Sequence, residues 1–287
     1  MKISNSHYYR GPMQKQEAVL AFFKKNGYRT NGTRVEYYQK IIKRFLKVPE
    51  LTDDESWALV ELHELYVIIH GAQKNHVITE QVGRCLKGVH SLEDEQAKNS
   101  GNAPRNISFE LFIASKMVLF GASVAIPPPG SSADVNFFCD GQKVPIECKR
   151  LYAQGKVSNI VQEACSQVSG RVNDGQYGIA AISLTREFWS SFSSTVMESI
   201  DDAREAAEQL YSKWREVIYP LLIAYPKVAL IYIHIQTPCV GEEEVFTIYE
   251  RQFFRSRVDY ENLPEANIVK EFEKIMSSNE IMDAIEN

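Results

Sequence analysis

Asp134, Glu147 and Lys149 are the residues whose types and spacing offer a reaction centre. Two carboxylates brought together repel unless something positive joins them. A nearby ammonium neutralises part of that charge, and a divalent cation does so more completely. Mg²⁺ favours one or two carboxylates, several waters and a substrate phosphate. The chemistry implied is therefore a hard-cation site with open coordination positions and a lysine beside it.

Convergence of these residues depends on a hairpin. Asp140-Gly141, between two alternating runs, signals a two-residue type I′ turn. That turn pairs Ala133 with Cys148, Val135 with Ile146 and Phe137 with Val144, all apolar and on one face. The other face pairs Ser132 with Lys149, Asp134 with Glu147, Asn136 with Pro145 and Phe138 with Lys143. A slip of one residue would mix the two faces, so the pattern specifies the register. Asp134 and Glu147 then form a non-hydrogen-bonded pair, with Cα atoms about 4.5 Å apart. Pro145 lacks an N–H, and its nitrogen points away from the hairpin partner. Pairing on the far side of that strand is expected only after residue 145.

The hairpin needs a scaffold. Helical periodicity covers 13–25, 33–47 and 54–70, the last with a stripe of Trp57, Leu59, Val60, Leu62, Tyr66, Val67 and Ile69 and an N-terminal cap at Thr52. A further helix is expected over 78–98. Asn99 to Asn106 breaks the pattern and marks a boundary between a helical N-terminal region, 1–103, serving recognition or dimerisation, and a second domain, 104–287. Beyond it come a helix from Ser108 to Phe120 ended by Gly121, a strand at 122–126, a stiff Pro127–Gly130 turn and the two hairpin strands. A helix at 157–170, a strand at 178–184, helices over 197–223, an apolar strand at 227–236 and a helical tail from 264 complete the chain. This order indicates an α/β or α+β sheet domain.

Composition is that of a globular protein without a bilayer-length apolar run, and the first residues lack the layout of a signal peptide. Five scattered cysteines without C-x-x-C read as reduced thiols in a cytoplasm. The formal charge of −5 conceals a basic first segment: residues 1–50 carry eleven Lys/Arg against three Asp/Glu. With Tyr8, Tyr9, Tyr28, Tyr37 and Tyr38 interleaved, it has the makings of a phosphate-backbone grip, although a solvated helix face with tyrosines half in the core is the favoured reading.

Asp134-Val135-Asn136 after Ser132-Ala133, followed by Val144-Pro145-Ile146-Glu147-Cys148-Lys149, resembles the PD-(D/E)XK nuclease superfamily. The resemblance covers residues 107–184 by motif and element order. It implies a restriction-endonuclease-like αβββαβ core with a mixed central sheet, preceded by the N-terminal helical region. It further implies a Mg²⁺-dependent endonuclease, with Mn²⁺ able to substitute, acting on DNA rather than RNA in prokaryotic restriction, phage defence or repair. Asp134 and Glu147 would be metal ligands, with the Cys148 carbonyl completing the protein set. Lys149 would orient or activate the attacking water, or stabilise charge on phosphorus. Glu110 would support the metal through water from the first helix. Gln162, early in the second helix, would lie near the substrate, with Gln167 as an available mate. The family's usual proline before the aspartate is Ala133 here, a change that touches no catalytic group.

Other chemistries lack their residues. His63-Glu64 begins a zinc-protease helix, but position 67 is Val67, so H-E-x-x-H fails; no Walker A loop, G-x-S-x-G or G-x-G-x-x-G occurs. Arg150, Lys156 and Arg171 are cations within reach of a phosphate or ordinary surface residues. Cutting both strands would call for two sites and hence a homodimer. The competing expectations are a nucleic-acid-binding or assembly protein on the same fold without catalysis, and a nuclease subunit active only with a partner or a small-molecule signal.

Overall fold

Asp140 and Gly141 both take positive φ, +49° and +75°, as a type I′ turn requires. They join β2 (Val135–Cys139) to β3 (Gln142–Arg150) with the expected partners: Val135 with Ile146, Asn136 with Pro145, Phe137 with Val144 and Phe138 with Lys143. The protein is described here by a computed structural model covering residues 10–45, 51–86, 103–128, 133–151, 155–192, 196–240, 246–257 and 260–277. Tyr8, Tyr9, Ser132, the Pro129-Gly130 end of the stiff turn and residues 87–98 of the expected fourth helix lie outside these residues.

Among the described residues a six-stranded mixed sheet runs in the order β1 to β6. β1 (Ser123–Ala125) pairs antiparallel with β2, and β2 with β3; β4 (Gly178–Ser183) lies parallel to β3. β5 (Val228–Val240) lies parallel to β4, and β6 (Phe246–Ser256) antiparallel to β5. Pairing of β3 with β4 begins at Ile146 and Ile179, one residue after Pro145, so the missing proline N–H costs the ladder nothing. Gly178 follows from the same crowding. A Cβ there would stand 2.8 Å from the Pro145 carbonyl oxygen and 2.7 Å from Val168.

Helices cover both faces. On one, α1 (Arg10–Lys25), α2 (Arg34–Phe45), α3 (Asp53–Lys74), α4 (His76–Val82) and α5 (Ala103–Leu119) share a core with Val135, Phe137, Val144, Ile146 and Cys148. On the other, α6 (Val157–Arg171) and α8 (Ile200–Ala224) pack on Ala180, Ile182, Ile231 and Ile233. A short α7 (Thr185–Ser191) follows β4, and α9 (Ala266–Met276) places Phe272 against Phe137. Burial of each such large apolar side chain stabilises the fold by about 1.5–3 kcal/mol.

α3 begins with the expected cap, since Thr52 and Glu55 form a reciprocal capping box. Its apolar stripe widens into burial on nearly every side. α1, α4 and α5 enclose it, and Trp57 and Val60 reach the second core. α5 starts at Ala103, inside the segment read as a break, because Pro104 falls in the first turn where its missing N–H has no partner to lose. Gly121, at φ +82°, ends the helix with N–H bonds from Gly121 and Ala122 to the Val118 and Met117 carbonyls. The apolar strand at 227–236 extends to Val240, because β6 pairs along it through eleven residues. No helix among the described residues is long and apolar enough to cross a membrane. The five cysteines are all free and buried.

Much of the basic first segment is engaged internally. Arg34 pairs with Glu61 at 3.2 Å, Arg44 with Glu55 and Lys40 with Glu36, while Lys15 donates to His63 Nδ1 at 2.9 Å. Tyr38 is buried with its hydroxyl on Glu61, as a core tyrosine would be. Lys24, Lys25, Arg29 and Lys43 are exposed.

Candidate active site

β2 begins at Val135, so the main chain has left the ladder where Ala133 would have bonded to Cys148. The Cys148 N–H donates instead to Asp134 Oδ2 at 2.8 Å. Asp134 and Glu147 therefore do not form a regular cross-strand pair; Asp134 caps the amide next to Glu147 in the chain, and Arg171 acts on both carboxyls. In an extended strand a residue's N–H and C=O share an edge. The Cys148 carbonyl accordingly faces the same side as its N–H, towards the gap left by β2.

Glu147 lies opposite Ala180 of β4, on the face covered by α6, and is only 2 % exposed. The Arg171 guanidinium, on the last residue of α6, pairs with its carboxylate. Lys149, two residues along the same face, pairs with Glu163 at 2.9 Å. Glu163 also accepts from Gln167 Nε2 at 3.3 Å. Glu163, Gln167 and Arg171 recur every fourth residue, which aligns them along one flank of α6. The cation expected to neutralise the two carboxylates is thus joined by a second. Arg171 meets Glu147 directly, while Lys149 is held by the helix.

Electrostatic coupling ties in the remaining groups. Burial, followed by the charge of Asp134, raises the Glu110 carboxyl to about 7, against the opposing pull of Arg84 and Lys149. Burial also lifts Asp134 above its ordinary value, although the Cys148 N–H, Lys149 and Arg171 counteract it. Glu110, from α5, and Asp134 thus feel each other across the end of the sheet. The Cys148 thiol is buried on the opposite, apolar face, and burial pushes it well up. Only its main chain is placed to contribute.

Of the residues singled out in the sequence, Asp134, Glu147, Lys149 and Glu110 converge, with the Cys148 main chain between them. Gln162 is exposed on α6; the neighbouring Glu163 is the residue that contacts Lys149. Lys156 is exposed just before α6. Arg150 faces the core, 3.1 Å from Glu64 and stacked over Trp57, and is not a surface cation. Glu163 gains its importance only from structure, and Arg171, read from the sequence as a phosphate contact or a surface residue, gains its pairing with Glu147 there. The available signal was their spacing with Gln167 at i, i+4 and i+8 along the helix at 157–170.

Among the described residues no three His, Cys, Asp or Glu side chains gather tightly enough to hold a metal ion by themselves. The oxygens available there are those of two carboxylates and a carbonyl. Hard oxygens of this kind suit Mg²⁺ or Mn²⁺, and Mg²⁺ habitually keeps several waters. Burial holds the Glu110 and Asp134 carboxyls above their ordinary values, a cost of charging them that a divalent cation would relieve. The residues present therefore fit such an ion. The chain matches no protein-family model, no curated protein and no solved structure.

Proposed function

We propose that the chain is a divalent-metal-dependent nuclease that hydrolyses phosphodiester bonds, with DNA as the favoured substrate. The observation that carries this reading is the bond from the Cys148 N–H to Asp134 beside Glu147, with Arg171 acting on both carboxyls and Lys149 on the Glu147 face, at the frayed end of the β2–β3 hairpin. The order α5, β1, β2, β3, α6, β4 agrees with the αβββαβ core that the motif resemblance implies.

Asp134, Glu147 and the Cys148 carbonyl would hold the cation. When bound, that cation would offset phosphate charge and make water a better nucleophile near neutral pH. Lys149 carries the remaining chemistry of the chain. Its side chain is 23 % exposed, so it reaches the solvent-facing side of the site, where it can orient water or stabilise charge on phosphorus. Glu110 can hold or release a proton near neutrality, as a carboxyl raised to about 7 would. α5, packed against α3 on one face of the sheet, and α6, seated on β3 and β4 on the other, keep these groups on rigid elements.

The test is cleavage of plasmid DNA and of RNA by purified protein with Mg²⁺ or Mn²⁺. Glu147→Ala and Lys149→Ala should each lower the rate about 10²–10³-fold, the usual scale for removing one preorganised charge from a reaction centre. Folded wild type that cuts neither nucleic acid would sink the proposal. Salt-sensitive binding that survives Glu147→Ala without cleavage would favour a binding protein on the same fold.

A further inference from the structure

Resting on that reading, the geometry points to a second role at the same site. Arg171 is the resident counter-ion of metal-free Glu147, is exchanged for the divalent cation, and is then available to the substrate phosphate.

Three observations carry this. First, Arg171 is on the Glu147 carboxylate, the group assigned to the metal, and its field also reaches Asp134, the other ligand. A guanidinium and a divalent cation cannot both occupy that mostly buried place, because two positive centres a few ångströms apart repel strongly where water is scarce. Metal binding therefore displaces the guanidinium. Second, Arg171 is the final residue of α6, and its side chain is 24 % exposed whereas that of Glu147 is 3 % exposed. The arginine thus stands at the rim, with solvent on its outer side to receive it. Third, the same helix flank performs the same service for Lys149. Glu163, 56 % exposed, pairs with that ammonium at the rim of the site.

α6 thereby supplies each of the two groups with a temporary partner of opposite charge. Substrate and metal bring the permanent ones: the cation for Glu147, and the phosphate for Lys149 and the released Arg171. A planar guanidinium is well suited to the last step, since its fork matches two phosphate oxygens. The exchange moves ion pairs only, and no covalent bond changes.

The experiment titrates Mn²⁺ into the full-length protein at low ionic strength, followed by paramagnetic resonance of the free ion, without nucleic acid. Arg171→Gln should bind Mn²⁺ about tenfold or more tightly than wild type, the scale of removing one competing unit charge from a partly screened site. Arg171→Lys, which keeps the charge, should stay close to wild type and covers the case in which the neutral variant fails to fold. In the Mn²⁺-loaded protein, inorganic phosphate should bind several-fold more weakly to Arg171→Gln than to wild type.

Equal or weaker Mn²⁺ binding by Arg171→Gln overturns the inference, as does Arg171→Lys departing from wild type in metal affinity. Undiminished phosphate binding removes the hand-over. Glu147→Gln separates the two levels of the argument. If it abolishes Mn²⁺ binding while Arg171→Gln gains nothing, the counter-ion role alone falls. If wild type binds no Mn²⁺, or Glu147→Gln binds it equally, the metal site itself falls and takes this role with it.

Discussion

Consecutive residues of β3 serve two different ion clusters. Arg150 points into the core, 3.1 Å from Glu64 and 3.9 Å from Glu61. Glu61 also meets Arg34 and Arg105 and accepts from the Tyr38 hydroxyl at 2.7 Å. Lys149 points the other way, towards Glu163, in the neighbourhood of Asp134, Glu147, Glu110 and Arg171. In the first cluster three guanidiniums surround one carboxylate. Burial alone would raise Glu61, but Arg105 and Arg34 override it and hold the carboxyl well below its usual range. In the second cluster carboxylates outnumber cations, and Glu110 and Asp134 are pushed up. A cluster that ends with its carboxylate firmly ionised is complete and structural. One that leaves a buried carboxyl such as Glu110 partly protonated near neutrality has not offset the cost of burial with positive charge, and that distinguishes the candidate active site from a salt-bridge network of similar composition.

The largest effect that would test this contrast is on stability. Glu61→Ala leaves Arg34 and Arg105 buried without their carboxylate and should cost about 3–5 kcal/mol, read from the urea midpoint. Glu147→Gln, whose partner Arg171 keeps access to water, should cost no more than about 1 kcal/mol by the same measurement. Equal losses would erase the distinction between the clusters.

Metal should then separate them further. Mg²⁺ at a hundred times its dissociation constant should stabilise wild type by about 2.7 kcal/mol, and should leave Glu147→Gln unmoved. The Glu61 cluster, being complete, should show no such response: a conservative Glu61→Gln variant that still folds should keep the full metal-induced gain.

The two clusters should also respond to pH with opposite sign. The folded value of Glu61 lies below its unfolded one, so its contribution is present above the unfolded carboxylate range, about 4.3, and is lost as pH falls through the folded value. The folded value of Glu110, about 7, lies above its unfolded one. There the folded state binds the extra proton, and stability declines as pH rises from about 4.3 towards about 7. Asp134, raised as well, adds to the same decline from a lower starting pH. Urea stability in a chelator should fall across that window in wild type and fall less in Glu110→Gln. Saturating Mn²⁺ should flatten the wild-type slope. The smallest effect concerns Gln162, which is exposed. Gln162→Ala should leave stability within about 0.5 kcal/mol, and a changed affinity for nucleic acid at unchanged stability would restore it to the site.

The hairpin, its register and the position of Pro145 were legible because turn chemistry and period-two alternation are local. Asp140-Gly141 admits one turn, and that turn sets every pair from Cys139–Gln142 to Val135–Ile146. Less legible were elements whose character depends on distant partners. β6 carries Glu250, Arg251 and Arg255 and does not read as a strand in isolation. Its Glu250 is tolerated because Lys116 of α5 pairs with it at 2.5 Å. α7 is short and lacks a side-chain cap. In the site, Asp134, Glu147 and Lys149 were visible as a motif, whereas Arg171, twenty-four residues beyond Glu147 and readable only as a phosphate contact or a surface residue, had nothing local to tie it to Glu147. Only the seating of α6 on β3 and β4 brings that arginine to Glu147.

The early end of β2 has one more consequence. Because the Asp134 carboxylate, not a main-chain carbonyl, receives the Cys148 N–H, a single backbone amide is tied to the electrical state of the site. Its rate of exchange with deuterium becomes a gauge of what Asp134 is doing. An ion bound through the other carboxylate oxygen would clamp the side chain and slow that amide selectively, while Ile146, held by an ordinary ladder bond two residues away, would keep its own pace as an internal clock.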